Sequence, residues 1–153
     1  MSIPVELLAQ IECWEGFRSR PYLDNRYADP RRKSIGFGTL ALGEGDIVTR
    51  EEARWRAVSH LAQCEKDLAG AFSPTEIHLI GPVRRACCIA MIYQMGLGGF
   101  RRFAKMIAAL KRGEWALASA EALNSTWARQ QSPKRAEEIA AMLATGEWGG
   151  LFG

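Results

Sequence analysis

Glu15 and Asp24 stand nine positions apart near the start of the chain, and the glycine-punctuated stretch Ser34-Ile35-Gly36-Phe37-Gly38 follows them. Two carboxyl groups in unlike surroundings suit the cleavage of a glycosidic bond. One must stay protonated to give its proton to the leaving oxygen, and the other must stay ionised. The sequence places Glu15 in the last turn of a helix, at the negative end of its macrodipole and beside the apolar Trp14 and Phe17. Both effects favour a protonated carboxyl. Asp24 falls at a strand end before a polar turn, where solvent keeps a carboxylate charged. With 17 acidic residues the chain offers many carboxylate pairs, so the elements that position this pair carry the argument.

Val5, Leu7, Leu8 and Ile11 recur at helical spacing and predict a first helix over Ile3 to Cys13. Ser2 is its expected N-cap, Pro4 lies in its first turn and Gly16 stops it. From Phe17 to Leu42 the pattern turns β-prone, with Pro21-Tyr22-Leu23 and Ser34 to Gly38 forming a small antiparallel sheet around a polar hairpin tip at Asn25 to Lys33. Thr49-Arg50-Glu51-Glu52 reads as a capping box opening a long amphipathic helix, about Arg50 to Ala69. Ser73-Pro74 reads as a break, followed by an irregular or short helical link to Gly81-Pro82. Val83 to Met95 is apolar nearly all round after a basic start, the profile of a buried helix. Helices over about Phe100 to Lys111 and Trp115 to Asn124 follow. A last one runs from Pro133 to Thr145, with Ser132 as N-cap and Gly146 as its stop.

Composition narrows the class. Hydrophobic residues make up 48% and charged residues 24%, ordinary for a soluble globular chain of one domain. No apolar run reaches the ~18 residues of a membrane helix, and the N-terminus lacks the pattern of a cleavable export signal. The four cysteines match no metal-site spacing and read as buried, reduced thiols. With two histidines besides, neither a metal nor another cofactor is expected. From Leu79 onward ten Lys/Arg face five Asp/Glu, a surplus of +5 against −2 in the remainder. That half suits either an anionic polymer or a plain solvated surface.

The string Glu15-Gly16-Phe17-Arg18-Ser19-Arg20-Pro21-Tyr22-Leu23-Asp24 resembles the N-terminal motif of the T4-type phage lysozymes, or endolysins, a family of glycoside hydrolases. Ser34-Ile35-Gly36-Phe37-Gly38-Thr39-Leu40 is similar to that family's Thr-Ile-Gly-x-Gly-His strand. Val83-Arg84-Arg85-Ala86, Met91-Ile92-Tyr93-Gln94-Met95-Gly96 and Gly99-Phe100 match its central buried helix and the turn after it. Trp127, Gln131-Ser132-Pro133, Arg135-Ala136 and Thr145-Gly146-Glu147-Trp148 match its C-terminal signature. The likeness runs in order along nearly the whole chain.

That resemblance implies an α+β, mostly helical, lysozyme-like two-lobed fold over residues 1–153. An N-terminal lobe of about 14–50 carries the sheet, a bridging helix spans about 50–69, and a helical lobe of about 70–153 takes in the first helix. Carried over by position, Glu15 is the general acid, Asp24 positions the attacking water, and the Ser34 hydroxyl helps hold that water. Such enzymes invert the anomeric centre, with carboxyls ~6.5–9.5 Å apart. Arg135 matches an arginine that pairs with the catalytic glutamate, and Leu40, Tyr93 and Gln94 match positions lining the saccharide cleft. Two departures stand out: Thr39 replaces the family's histidine, and the stretch from Asp24 to Ser34 is longer than in the T4 pattern. The longer stretch makes Asp29 a rival for the second carboxylate.

Other readings of these residues stay open. Ser34 can serve as a strand hydroxyl, Gln94 as a satisfied core amide, Arg135 as a surface cation and Tyr93 as a core residue. Tryptophans 55, 115, 127 and 148 read as core rather than as sugar platforms. The expected activity is hydrolysis of the β-1,4 bond between N-acetylmuramic acid and N-acetylglucosamine in peptidoglycan. The expected setting is a monomer made in the cytoplasm without a signal peptide and acting on the periplasmic wall. Release is expected through a holin or another delivery system, with no nucleic-acid partner and no stable membrane insertion. A secreted antibacterial effector, a phage-tail lysozyme, a glycan-binding module that lost catalysis and a nucleic-acid-binding helical domain are the alternatives.

Overall fold

The computed structural model describes residues 3–24 and 26–149, so the expected N-cap Ser2 and the hairpin residue Asn25 lie outside the described residues. The architecture is mostly helical with a three-stranded antiparallel sheet in the order β1-β2-β3, the expected α+β class. The chain divides into two compact units, Met1–Cys64 and Glu65–Gly153.

In the first unit, α1 (Val5–Glu15) buries Leu7 and Ile11. It starts two residues later than expected, because Pro4 has an extended ψ of 142° and serves as the N-cap. The Pro4 carbonyl accepts from the Leu7 and Leu8 N–H groups. Gly16 closes the helix, its N–H donating to Glu12 O at 3.0 Å, so Glu15 is the last helical residue as expected. The strands are β1 (Arg18–Tyr22), β2 (Ser34–Gly36) and β3 (Thr39–Leu40). β1 begins before the anticipated Pro21. Arg18 pairs with Gly36 and Tyr22 with Ser34, with a bulge between these pairs. A bulge re-aims the side chains beyond it, and this one brings the end of β1, and Asp24 after it, beside Ser34.

Helix α2 (Arg50–Ala71) opens under Thr49, whose Oγ1 accepts from Glu52 N at 3.1 Å. Its inward stripe is Ala53, Ala57, Leu61, Cys64 and Leu68, each at most 1% exposed. Trp55 follows Ala53 by two residues, about 200° around the helix, and is 71% exposed. It is therefore not the core residue expected. Asp46 forms a two-pronged ion pair with Arg56, at 2.7 and 3.0 Å, and its Oδ2 accepts from Leu42 N, bracing the loop into α2.

The second unit holds the remainder of α2 and the helical stretch α3 (Pro74–Arg101), which is broken by non-helical backbone at Gly81 and Gly96. The expected break at Ser73-Pro74 is present: α2 ends at Ala71, Pro74 opens the next helix, and its short first part runs to the non-helical Gly81. Ser73 Oγ accepts from Glu76 N while Glu76 reaches back to Ser73 N, a reciprocal capping box with Pro74 just inside. The middle part, Val83 to Tyr93, is buried nearly throughout, as its apolar profile predicts. Helices α4 (Ala104–Lys111) and α5 (Trp115–Leu123) follow; then comes a π-type turn over Trp127–Gln131, closed by Ser132 N donating to Trp127 O, and finally α6 (Pro133–Thr145). Ser132 makes no side-chain cap for α6, because its hydroxyl accepts from Gln94 Nε2 at 2.8 Å. Gly146 ends α6 in the left-handed region.

Cys64, Cys87 and Cys88 are buried free thiols, but Cys13 is exposed, on the outer face of α1. Burial raises the Cys88 thiol to about 12 and the Cys87 thiol well above its ordinary range. Neither is a nucleophile at neutral pH.

Candidate active site

The first unit gathers Glu15, Asp24 and Ser34 around one residue that the sequence reading passed over, Arg26. Glu15 comes from the end of α1, Asp24 from the turn after β1 and Ser34 from the first position of β2. Arg26 Nη2 donates to both Glu15 oxygens at 3.0 Å. Its Nη1 donates to Gly38 O at 2.6 Å, and its Nε lies 2.9 Å from Asp24 Oδ2. The Arg26 backbone N–H donates to Asp24 Oδ1 at 3.1 Å. Ser34 Oγ completes the cluster, donating to Asp24 Oδ2 at 2.7 Å. The side chains of Glu15, Arg26 and Asp24 are 6%, 14% and 17% exposed.

In such surroundings a cation between two carboxylates is much stronger than on the surface. Burial works against the Arg26 charge, yet Glu15 and Asp24 together hold its pKa above the ordinary arginine value. Tyr22 faces the same group. Burial, then Glu15 and Asp24, push its phenol above the usual range, and it shares a hydrogen bond with Ser34. The sequence reading of Glu15 as a carboxyl among apolar neighbours thus omitted its guanidinium partner.

The glycines of the β2–β3 turn are dictated by this packing. Gly36 has φ +65°, and a Cβ there would lie 2.8 Å from the Ala53 Cβ. Gly38 has φ +84°, and a Cβ there would lie 2.6 Å from Glu15 Oε2. Only glycine accepts such φ values without strain, and only its lack of a side chain leaves room for the carboxylate. Thr39, in place of the family's histidine, is buried and donates from Oγ1 to Ile35 O.

Asp29 stands apart from the cluster. It accepts from Arg31 N, Nε and Nη2 in an exposed turn, and the Arg31 hydrogen bonds hold its carboxyl below the usual range. Leu40 pairs with Ser34 across β2 and β3 and is 40% exposed. Tyr93, Gln94 and Arg135 belong to the second unit. Tyr93 is 2% exposed, on the core side of its two readings. The Gln94 amide is satisfied on both ends, accepting from Trp127 Nε1 at 3.0 Å and donating to Ser132 Oγ. Arg135 is half-buried in the first turn of α6. Among the described residues, no group of three or more His, Cys, Asp or Glu is placed to hold a metal ion.

A family model described as phage lysozyme matches residues 12–140. The chain belongs to the phage lysozyme family. Membership accounts for the α+β architecture as a lysozyme-like fold. A probable T4-type lysozyme 2 of Dictyostelium discoideum is 33% identical over 63 residues, covering 41% of this chain and 36% of that protein. A probable T4-type lysozyme 1 of the same organism is 31% identical over 64 residues, 42% of this chain and 37% of that protein. The pre-baseplate central spike protein Gp5 of Enterobacteria phage T4 is 29% identical over 116 residues, 71% of this chain and 19% of that protein. The matched part thus spans little more than a third of either Dictyostelium lysozyme and about a fifth of the spike protein.

Within this phage-lysozyme chain, the sequence carried one overlooked signal for Arg26. An arginine two residues after Asp24, on a lengthened hairpin, can fold back along β1 toward the end of α1. Spacing alone does not choose it from the neighbouring Arg31, Arg32 and Lys33, all on the same hairpin.

Proposed function

We propose that the protein is a lysozyme that hydrolyses the β-1,4 bond between N-acetylmuramic acid and N-acetylglucosamine in peptidoglycan, with inversion at the anomeric carbon. The observation that carries this reading is the Glu15–Arg26–Asp24–Ser34 cluster inside a phage-lysozyme chain. Glu15 gives its proton to the glycosidic oxygen. Asp24 takes a proton from the water that attacks the opposite face of the sugar. The two carboxyl groups are separated by a guanidinium rather than sharing a hydrogen bond, and an inverting pair needs its carboxyls apart to admit a water. Ser34 steadies Asp24, and Leu40 offers apolar surface beside it. Asp24 is preferred to Asp29 because Asp24 shares partners with Glu15, whereas Asp29 is spent on Arg31.

The test is release of reducing ends from purified peptidoglycan by the wild type and by Glu15→Gln. Cleavage by the wild type alone supports the proposal. Binding without cleavage by the wild type identifies a glycan-binding module instead. For the setting, we propose action on the periplasmic wall as a monomer delivered by a holin or similar system. A second setting is favoured by the match to a central spike protein over 71% of this chain: the same activity carried by a tail or injection device. Clearing of permeabilised Gram-negative cells compared with intact ones separates the need for a delivery partner from the activity itself.

A further inference from the structure

Arg26 is bound more completely than an arginine that merely neutralises a buried acid. Its Nη2 spans both oxygens of Glu15, Nη1 is tied to the Gly38 carbonyl, Nε faces Asp24, and its own backbone N–H holds the other Asp24 oxygen. Ser34 Oγ donates to Asp24 Oδ2, the oxygen that Nε faces. Gly38, whose carbonyl anchors the guanidinium, also lacks the side chain that would displace Glu15. A planar fork held by three hydrogen bonds, with its Nε against the second acid, ties the position of one carboxylate to that of the other.

We propose that Arg26 is a positioning residue of this site, aligning the proton donor and the water-activating carboxylate through one guanidinium. This rests on the lysozyme reading above. Within the first unit, the charged and titratable groups facing it are Glu15 from α1, Tyr22 from β1, and Asp24 and Tyr27 from the hairpin, with the Ser34 hydroxyl from β2.

The experiment uses the full chain as wild type, Arg26→Gln, Arg26→Lys and Glu15→Gln, with thermal melts as a folding check and initial rates on peptidoglycan. Arg26→Gln is expected to lower kcat about 10- to 100-fold with KM little changed, since a misplaced donor costs rate rather than binding. Arg26→Lys keeps the charge but not the fork, so its kcat is intermediate. A folded Arg26→Gln with wild-type kcat overturns the proposal, and so does a faster one, which would make the guanidinium a blocking group. Should Arg26→Gln fail to fold, a folded Arg26→Lys with full kcat overturns it equally.

A readout independent of catalysis separates this from the lysozyme reading. The Arg26 Nη protons should give separate, exchange-protected NMR signals that collapse in Glu15→Gln. A freely rotating guanidinium in the wild type overturns the proposal, while intact clamping in a protein that cuts no glycan overturns only the lysozyme reading.

Discussion

Arg26 and Arg85 are both buried arginines held by carboxylates, one in each compact unit, and their surroundings differ in kind. Arg85 sits on the buried part of α3, its side chain 5% exposed, 2.9 Å from a single partner, Glu65, on the last part of α2. Its neighbours along the helix are Ala86, Cys87, Cys88 and Ile89, all core residues. Arg26 comes from an irregular hairpin and touches two carboxylates, a carbonyl and a left-handed glycine turn. A helix-to-helix pair in apolar surroundings joins two pieces of scaffold, and well-packed apolar residues can replace such a pair. A guanidinium between two acids on separate elements makes an arrangement that no apolar substitute reproduces. The difference teaches that burial and ion pairing alone do not mark a site. Convergence of several elements on groups that can exchange protons does.

The largest expected effect is that of Glu15→Gln, which should lower reducing-end release by roughly 10³-fold or more, the scale of a lost general acid. Melting should stay close to wild type, and ready activity in this variant would put Arg26 on the scaffold side of the comparison with Arg85. Next comes the second carboxylate. Asp24→Asn should cost roughly 10²-fold or more in the same assay while Asp29→Asn leaves the rate unchanged, and the reverse pattern would move the site out along the hairpin. Gly38→Ala should fall third. Its Cβ would lie against Glu15 and its backbone is left-handed, so a stability loss of about 1–3 kcal/mol should accompany a loss of rate.

The scaffold pair gives the contrasting case. Arg85→Met removes the guanidinium from Glu65 and should destabilise by about 2 kcal/mol, less than for a wholly buried pair because Glu65 is 23% exposed. Arg85→Met with Glu65→Leu should recover most of that loss, and neither variant should change kcat below its melting range. Denaturant titration measures the first, peptidoglycan rates the second. If the double variant is as unstable as the single one, the pair is not a replaceable scaffold contact.

The smallest effect concerns Asp46, which the Arg56 and Leu42 hydrogen bonds hold below the usual carboxylate range. A folded-state value below the unfolded one means that its stabilisation is complete above the unfolded value, about pH 4. It is lost as pH falls through the lower folded value. Asp46→Asn should therefore cost about 1 kcal/mol at neutral pH and make the acid-side fall in stability shallower, as read from melts between pH 7 and pH 2.

Much of the helical framework was legible because it follows from local rules. The stripe Ala53, Ala57, Leu61, Cys64, Leu68 repeats at helical spacing, and the buried stretch from Ala86 to Tyr93 is apolar on every side. Where the reading failed, the deciding partner was usually elsewhere. Ser132 stands at the N-cap of α6 as its sequence position suggested, but Gln94, 38 residues earlier, takes its hydroxyl in place of the helix. Trp55 and Cys13 were placed inside by residue type, whereas the angular position of each on its helix turns it outward.

The same division runs through the site. By itself the sequence determined that Glu15 would end a helix, that a glycine turn would follow Ser34, and that the chain carries the phage-lysozyme pattern. Each of these depends on residues close together or on motifs in order. Only the tertiary structure decided between Asp24 and Asp29 as the residue beside Ser34, and only it made Arg26 the partner of both acids. The physical reason is reach: an arginine side chain on a hairpin can serve any acid within its length. Which one it serves depends on the bulge in β1 and the turn at Gly38, which fold the hairpin back onto the end of α1.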